Sequence, residues 1–367
     1  MIVFPDPQLS YSPSTLNLYD TLSETFKVTI LSFEPDSTYS EHRILNRNIK
    51  YLPLPKEKLI PLEQRILKEV QKTFFQNKYE EDSFETEKAK AFIHEIRNFK
   101  GDIIAIDFFA LWCAQKAGRH AHLLSLEIPE HDVYKLKCNL QNIKSVIIQS
   151  KERYNYLFGE LNLKTFFIQN APIYQNRELT FDKRKNTDLI YCGSVMPWFG
   201  VISCIEFIED YPDYNLTLKG AVPPFVKKII QESFGDLLTQ RRLIIDEEYL
   251  DANELCDFLK RYYTGIVFYD TYRFDFMNKF NYKTAPSGKL FQYYNAGLPV
   301  IGNNLTGLLS IEEFNAGVII NSLSSQSIKK AVDKIETCYN LFANAAKNAS
   351  LHFDFGKNIK PFISFLN

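Results

Sequence analysis

The sequence predicts an α/β protein made of two doubly wound domains. Short apolar runs rich in β-branched and aromatic residues alternate with longer amphipathic stretches, as in parallel strands joined by crossover helices. The 367 residues are too many for one ordinary core, and a polar stretch divides two series of such runs. We therefore expect a first domain over 1–172, a linker over 173–187, a second domain over 188–340 and a C-terminal helical segment over 341–367. Whether that last segment packs back on the first domain is left open.

The elements follow from these runs in chain order. Amphipathic periodicity predicts helices over Leu62–Asn77 and Glu85–Asn98. Strands of the first domain are predicted over Lys27–Phe33, Ile103–Ile106, His122–Leu126, Ser145–Gln149 and Thr165–Ile168. Strands of the second domain are predicted over Leu189–Cys192, Asn215–Lys219, Arg242–Ile245, Gly265–Tyr269, Leu298–Ile301 and Gly317–Ile320.

Composition excludes several classes of protein. The chain is 45% hydrophobic and 24% charged, which is typical of a globular protein. Its 43 basic and 44 acidic residues give a net charge of −1, so a nucleic-acid partner is not expected. The six cysteines form no CxxC pair, which suits a reducing cytoplasm. Neither a secretory leader nor a membrane-spanning run is evident, and we expect a soluble or peripheral protein.

The run APSGKLFQYYNAGLPVIG, residues 285–302, has the pattern of an anion-binding helix start. Pro286 and Gly288 suit a turn, Lys289–Asn295 is compatible with a helix, and Gly297 with Pro299 would end that helix before a strand. A helix N-terminus carries unpaired N–H groups and partial positive charge, and Lys289 adds a full one. Phosphate is the expected anion. The alternative is an exposed lysine on a helix that only packs against the sheet.

Further segments on both sides of this run match a known sequence pattern. GIVFYD precedes it and NNLTGLLSIEEFNAGVIINSL follows it, while DLIYCGSV, LTLKG and FIQNAP occur earlier at 188–195, 216–220 and 167–172. Together they resemble the GT-B glycosyltransferases, especially glycosyltransferase family 4, in which a P-S-K-L-x-E-Y-x-A-x-G-x-P-V-I run is typical. The resemblance covers most of the chain and is more specific in the second half, where that family binds its donor.

The resemblance implies a fold and an activity. It implies two Rossmann-like domains facing across a cleft, and transfer of a sugar from a nucleotide-sugar donor to a carbohydrate or lipid-linked acceptor with retention of configuration. The implied setting is bacterial surface polysaccharide or glycoconjugate synthesis in the cytoplasm, with peripheral contact to the inner face of the membrane left open. No cofactor is expected beyond the nucleotide sugar, which is a substrate. The implied donor-binding residues are Gly193, Ser194, Lys219, Tyr269, Thr284, Ser287, Gly288, Lys289 and Gln292.

This sequence departs from the family pattern at the donor site. Thr284 and Gln292 stand where the family has two glutamates, the second of which binds the ribose. Ser194 and Phe199 stand where it has a basic pair, and Gly288 is an extra residue before the lysine. Diphosphate binding is therefore expected to depend on Lys289 and backbone amides. The same losses support an alternative, a non-catalytic relative that acts as a sugar-binding or partner subunit.

Further candidates follow strands of the first domain, where doubly wound sheets bind ligands. Asp107 follows IIAI and Glu127 follows HLLSL, and each is a candidate catalytic carboxylate or an ordinary capping or ion-paired one. The loop after Met1–Phe4 offers acceptor-binding hydroxyls, with helix capping as the alternative: Ser10, Ser12 and Ser14. Trp198 either stacks on a ligand or packs in the interior.

A metal site is not predicted. The chain has no DxD triplet, the acidic motif of metal-dependent glycosyltransferases. One segment, HAHLLSLEIPEHD, gathers ligand-type side chains, but zinc needs three or four that converge, and structural or acceptor-contacting roles are favoured. The residues weighed are His120, His122, Glu127, Glu130, His131 and Asp132.

Overall fold

The computed structural model describes residues 1–35, 46–53, 83–128, 132–174 and 187–367. The chain divides into two compact units. The first comprises Met1–Leu126, Asp132–Ile147 and Glu160–Phe166; the second comprises Glu127–His131, Ile148–Gly159 and Phe167–Asn367. The helix predicted over Leu62–Asn77 and most of the predicted linker lie outside the described residues, so the domain limits stay predictions.

The first sheet has seven strands in the order β3-β2-β1-β4-β5-β6-β7, and the pairs from β3 to β6 are parallel. Its central strands are fully buried and mostly apolar, which is why the sequence predicts β2, β4 and β5. The short central strand β1 was not among the predicted strands. The half-exposed edge strand β3 was not predicted. The strands are β1 Ile2–Phe4, β2 Ile30–Phe33, β3 Ile49–Leu52, β4 Ile104–Ile106, β5 Ala121–Leu124, β6 Ile143–Ile148 and β7 Thr165–Phe167.

The described helices up to residue 158 follow these strands. α2 begins at Ser83, close to the predicted start at Glu85, and ends at Asn98 as predicted. The helices are α1 Pro13–Ser23, α2 Ser83–Asn98, α3 Asp107–Lys116, α4 Val133–Lys137 and α5 Lys151–Phe158, with 3₁₀ turns at Leu9–Tyr11 and Leu140–Asn142.

The second sheet has six strands in the order β10-β9-β8-β11-β12-β13, and all its pairs are parallel. Two strands match the prediction residue for residue. β12 begins later than predicted, because Leu298 closes the preceding turn by donating its N–H to the Tyr293 carbonyl. The strands are β8 Asp188–Cys192, β9 Asn215–Lys219, β10 Leu243–Asp246, β11 Thr264–Val267, β12 Val300–Asn303 and β13 Gly317–Ile320.

The remaining helices cover this sheet. A core cluster joins the helix that begins at Gly288 to the alanines Ala346 and Ala349 of the C-terminal segment. Among the described residues, no helix has both the length and the apolar character needed to cross a membrane. The helices are α6 Val201–Asp210, α7 Pro224–Thr239, α8 Ala252–Leu259, α9 Phe280–Thr284, α10 Gly288–Asn295, α11 Ser310–Glu313, α12 Ser325–Thr337, α13 Tyr339–Phe353, α14 Phe355–Asn358 and α15 Lys360–Leu366, with 3₁₀ turns at Pro197–Phe199, Asp275–Asn278 and Thr306–Leu308.

The side chain of Tyr293 lies where the order of the second sheet reverses, between β8 and β11. β8 and β11 pair only near their first residues. Tyr293 is fully buried, and its hydroxyl forms hydrogen bonds to backbone groups of both strands where they separate. It accepts from the Cys192 N–H at 2.8 Å and lies 3.3 Å from the carbonyls of Ile190 and Ile266. Gly265 leaves room for the ring, since a Cβ there would lie 2.5 Å from it. Helix α10 is therefore anchored directly under the carboxyl ends of β8 and β11.

Removing this hydroxyl should destabilise the second unit. In Tyr293→Phe the Cys192 N–H loses its acceptor at a buried position, which costs about 1–3 kcal/mol. Urea unfolding and amide exchange at Cys192 would measure the loss. Tyr294→Phe is the matched control, because the Tyr294 hydroxyl bonds at 3.2 Å to the partly exposed Ser310, which can turn to water. Equal losses in the two variants would contradict the anchoring role.

Candidate functional site

The N-terminus of α10 opens at the carboxyl edge of the second sheet. The strand order reverses there, and doubly wound sheets bind ligands at such a crevice. Ser287 is the N-cap residue, but its side chain makes no capping bond to the helix. Burial raises the pKa of the nearby Tyr269, and the Ser287 hydroxyl partly offsets this. The Leu290 N–H donates to the Ser287 carbonyl at 3.0 Å. The N–H groups of Gly288 and Lys289 are left for another acceptor, and a bound anion would suit them.

Lys289 points back over the end of β8. Its amino group donates to the Tyr191 hydroxyl at 2.6 Å and lies 4.0 Å from the centre of the Tyr191 ring and 5.1 Å from that of Phe199. Burial raises the pKa of Tyr191, which therefore keeps its proton and donates it to the Ser194 carbonyl at 2.7 Å. Burial also lowers the pKa of Lys289 to about 8, and nearby Cys192 and Cys204 partly offset this. Lys289, Tyr191 and Phe199, with Gly193, form what we call the Lys289 cluster.

Gly193 is the backbone wall of this cluster. Its φ of +123° belongs to a region that side-chain-bearing residues rarely adopt, and a Cβ there would lie 3.3 Å from Lys289 Cε. Its N–H donates to the Lys219 carbonyl at 2.8 Å, which holds the loop against β9. The loop after β8 therefore approaches the lysine closely because no side chain intervenes.

Gln292 and Thr284, the two positions without the family's glutamates, have different surroundings. The Oε1 atom of Gln292 is buried and has no hydrogen-bond partner among the described residues, so it is a spare acceptor one turn from Lys289. Thr284 Oγ1 donates to the Phe280 carbonyl at 2.8 Å and accepts from Arg153 at 3.2 Å. Arg153 is fully buried. A guanidinium thus contacts the position at which the resemblance to family 4 would place a carboxylate.

Asn281 joins Arg153 to Glu127 within the second compact unit. Its side-chain oxygen accepts from Arg153 Nη2 at 3.1 Å and from the Ile128 N–H at 3.0 Å. Its amide nitrogen donates to Glu127 Oε2 at 2.6 Å. The exposed carboxylate of Glu127 is therefore oriented by a hydrogen bond that the sequence did not reveal.

Lys219 lies elsewhere at the carboxyl edge of the sheet. It is buried, its amino group pairs with Asp246 Oδ1 at 2.6 Å on the neighbouring strand β10, and it lies 4.8 Å from the Phe258 ring. These contacts tie β9 to β10. The donor-binding role expected for Lys219 stays a prediction, with an observed structural role beside it.

Asp107 follows β4 at the corresponding strand reversal of the first sheet. Its φ of +58° is strained for a residue with a side chain, and such strain often accompanies functional sites. Its carboxylate accepts from the Leu126 N–H at 2.7 Å.

The three serines follow β1, which neighbours β4 in that sheet. Ser10 and Ser14 are buried, and Ser14 lies inside α1. Ser12 occupies the N-cap position but bonds to the Thr15 hydroxyl at 2.8 Å instead of to the helix backbone. The acceptor-binding role of these serines stays a prediction.

The histidines have local structural partners. His122 bonds to Ser145 Oγ at 2.8 Å, and burial lowers its pKa to about 4, so it is neutral. His120 lies 3.2 Å from the Asn142 carbonyl, and Asp132 caps α4. Glu130 and His131 lie outside the described residues. Within the part of the chain that is described, no three histidine, cysteine or carboxylate side chains are grouped as metal ligands would be.

The sequence interpretation missed Arg153, Asn281 and Tyr191. Arg153 belongs to KERYNYLF, where an arginine suggests a solvated helix face, and Asn281 belongs to a polar segment without a motif. Tyr191 reads as one more apolar residue of β8. Trp198 was noted, and it packs among aromatic rings, including Phe276 at 5.6 Å.

Comparison with known proteins clarifies the fold. The sequence matches no family model and no curated protein. Among solved structures, Alr3699/HepE of Anabaena in complex with UDP-glucose aligns with a TM-score of 0.67 at 15% identity, over 99% of this chain and 97% of its own. A glycosyltransferase of Rickettsia africae aligns with a TM-score of 0.62 at 13% identity, over 100% and 96%.

The two parallel sheets and these similarities decide the fold class. The chain has the GT-B fold. A protein of Listeria monocytogenes described as a UDP-N-acetylglucosamine 2-epimerase also aligns, with a TM-score of 0.57 at 15% identity, over 98% of this chain and 92% of its own. Because a protein described as an epimerase shares the fold, the reaction must be argued from the site.

The fold should become more stable when the charge of Lys289 is removed. Its pKa is lower in the folded chain than its ordinary 10.5, so the ammonium is disfavoured on folding, and Lys289→Met keeps the apolar contacts without it. We expect the unfolding temperature at pH 7 to rise by about 2 °C or more. The advantage should shrink as the pH rises from about 8 to 10.5, where the folded wild type already releases the proton.

The exposed Lys283 gives the matched control, because Lys283→Met removes a charge that water already solvates. A lower unfolding temperature for Lys289→Met would show instead that Lys289 has a structural role.

Proposed function

We propose that the protein is a glycosyltransferase that takes a sugar from a nucleotide sugar, with UDP-glucose as the first donor to test, and passes it to a carbohydrate or lipid-linked acceptor. The observation that carries the proposal is the N-terminus of α10, where Lys289 lies at a helix start that no side chain caps. The alignment with an Anabaena protein in complex with UDP-glucose supports the choice of donor.

The chemistry required of this site is stabilisation of a leaving diphosphate. Helix amides and an ammonium group act on developing negative charge without reorganising during the reaction. Lys289 would exchange its bond to Tyr191 for one to a phosphate oxygen, and Gly193 leaves the space for that approach. The diphosphate would then be stabilised by protein groups, and we propose a metal-independent reaction.

The other predicted residues complete this proposal. Gln292 would offer its spare oxygen to a ribose hydroxyl. Glu127, oriented by Asn281, and Asp107 would each bond a sugar hydroxyl or exchange a proton, and Ser10 with the neighbouring serines would contact the acceptor. By resemblance to family 4 we propose retention of configuration, a cytoplasmic setting and a role in bacterial polysaccharide synthesis.

A turnover experiment tests the proposal directly. Full-length protein would be incubated with UDP-glucose and other nucleotide sugars, with a panel of saccharide and lipid-linked acceptors, in the presence and absence of EDTA. Glycosylated product that survives EDTA, with its anomeric configuration read by NMR, supports the proposal. Donor binding without turnover on any acceptor would assign the non-catalytic alternative, and loss of donor binding in EDTA would overturn metal independence.

Donor binding should depend on pH through Lys289. Below its pKa of about 8 the ammonium is already charged, so the affinity for UDP-glucose stays constant; above it, binding must first restore the proton, and affinity falls by up to about tenfold per pH unit. Calorimetric titrations from pH 6.5 to 8.8 would measure this. Lys289→Arg should bind with little pH dependence, because arginine stays charged. Parallel profiles for the two proteins would refute a role for Lys289 in contacting the diphosphate.

Gln292→Glu should tighten binding of a ribonucleotide donor. A carboxylate accepts charge-assisted bonds from the ribose hydroxyls, which is worth about 1 kcal/mol over the neutral amide. The comparison ligand is 2′-deoxy-UDP-glucose, with which much of the gain should vanish. If the variant binds both ligands more weakly, and Gln292→Ala binds them like the wild type, then Gln292 does not contact the ribose.

A further inference from the structure

The second unit contains a cavity apart from the Lys289 cluster. Its volume is about 690 Å³, within the range of small-ligand sites, about 300–1,000 Å³. It lies beyond the carboxyl ends of β11, β12 and β13, with one wall from α6 and another from the start of α12. None of the described residues that line it belongs to the Lys289 cluster, although the lining residue Tyr269 is a candidate donor-binding residue and its ring lies 5.6 Å from that of Phe199.

The charge of the lining is negative. Four carboxylates line the cavity, from Glu206, Glu209, Asp210 and Asp270, together with one guanidinium, that of Arg273. Arg273 is engaged by two of them, at 2.6 Å from Glu206 Oε2 and 3.6 Å from Asp270 Oδ2. The N-terminus of α12 adds about half a positive charge and leaves the balance negative. Phosphate-bearing ligands are therefore repelled, and a cationic ligand is favoured.

Hydrogen-bonding groups line the rest of the wall. The hydroxyl of Ser203 is buried, the residue being 1% exposed, and has no hydrogen-bond partner in the described part of the chain. Side-chain amides of Asn304 and Asn321 lie in the opposite loops, joined to each other at 3.0 Å. Such a set of hydroxyl, amide and carboxylate groups matches a ligand that is itself rich in hydroxyls.

An aromatic ring and a fixed loop complete the wall. Tyr272 is 92% exposed and belongs to the lining, so its ring offers an apolar face. Asp270, which is 2% exposed, accepts from the N–H groups of Tyr272 and Arg273 at 3.1 and 2.8 Å. The side chain of Asn303 accepts from the Tyr269 N–H and donates to the Tyr269 carbonyl. These two bonds fix the start of the same loop. The conformation of this loop is therefore preorganised by hydrogen bonds within the protein.

We propose that this cavity binds an amino-bearing saccharide, with its ammonium group toward the carboxylates of α6, its hydroxyls toward Ser203 and the amides, and a ring against Tyr272. The site shares only Tyr269 with the candidate donor-binding residues and does not depend on the proposed transferase activity. It would hold a glycan chain on the unit that carries the Lys289 cluster.

Calorimetry and saturation-transfer NMR with the glucosamine tetrasaccharide test this assignment. The wild type should bind it at least fivefold more tightly than the N-acetylated tetrasaccharide, and saturating UDP-glucose should not displace it. Tyr272→Ala should weaken binding fivefold or more, whereas Phe225→Ala, which removes a half-exposed aromatic ring on α7 outside the cavity lining, should leave it unchanged.

The double variant Glu209→Gln with Asp210→Asn changes only exposed side chains and should abolish the preference for the amino sugar. Absence of binding to the wild type, displacement by UDP-glucose, equal affinity for the two tetrasaccharides, or unaltered binding to Tyr272→Ala would each overturn the proposal. Because UDP-glucose binding is followed in the same titrations, failure of this site is distinguishable from failure of the donor site.

Discussion

The second unit depends on the hydroxyl of Tyr293 at the point where β8 and β11 separate. Parallel strands that diverge leave N–H and C=O groups without ladder partners, and such groups are costly to bury. One phenol supplies both an acceptor and a donor there, at 2.8 Å from the Cys192 nitrogen and 3.3 Å from two carbonyls. Gly265 is the complementary constraint, because any side chain at that position would occupy the space of the ring.

This anchor places the functional groups of α10. Lys289 precedes Tyr293 by one helical turn, so both side chains lie on the face toward the sheet. The Tyr293 hydroxyl also holds the backbone of Cys192, and the next residue is Gly193. The backbone of Gly193 lies next to the side chain of Lys289. The position of the lysine therefore follows from the core and not from a flexible surface loop. Such rigidity is what electrostatic stabilisation of a leaving group requires.

Charge is distributed differently from the pattern of the family that the sequence resembles. A threonine and a glutamine occupy the two carboxylate positions, and a fully buried arginine bonds to the threonine. In the donor complex that we propose, two fewer negative charges near the diphosphate would reduce the need for a basic pair. The uncharged side chains of Ser194 and Phe199 agree in this respect with those of Thr284 and Gln292. The acidic cavity beyond β11 to β13 has the opposite charge, so the two sites would select ligands of different chemistry.

The sequence by itself determined the parallel sheets and the limits of the helix that carries Lys289. Strands β9 and β13 were predicted exactly as they stand, and α10 to within one residue, because buried apolar runs and the Gly297 and Pro299 stop are local signals. Only the tertiary structure decided which charged side chains are paired within the protein and which could contact a ligand. Lys219 is paired with Asp246 27 residues away, and Asn281 reaches Arg153 and Glu127 across 128 and 154 residues. The edge strand Ile49–Leu52, half-exposed and with a lysine in it, also escaped prediction, since its pairing with β2 and not its own composition makes it a strand.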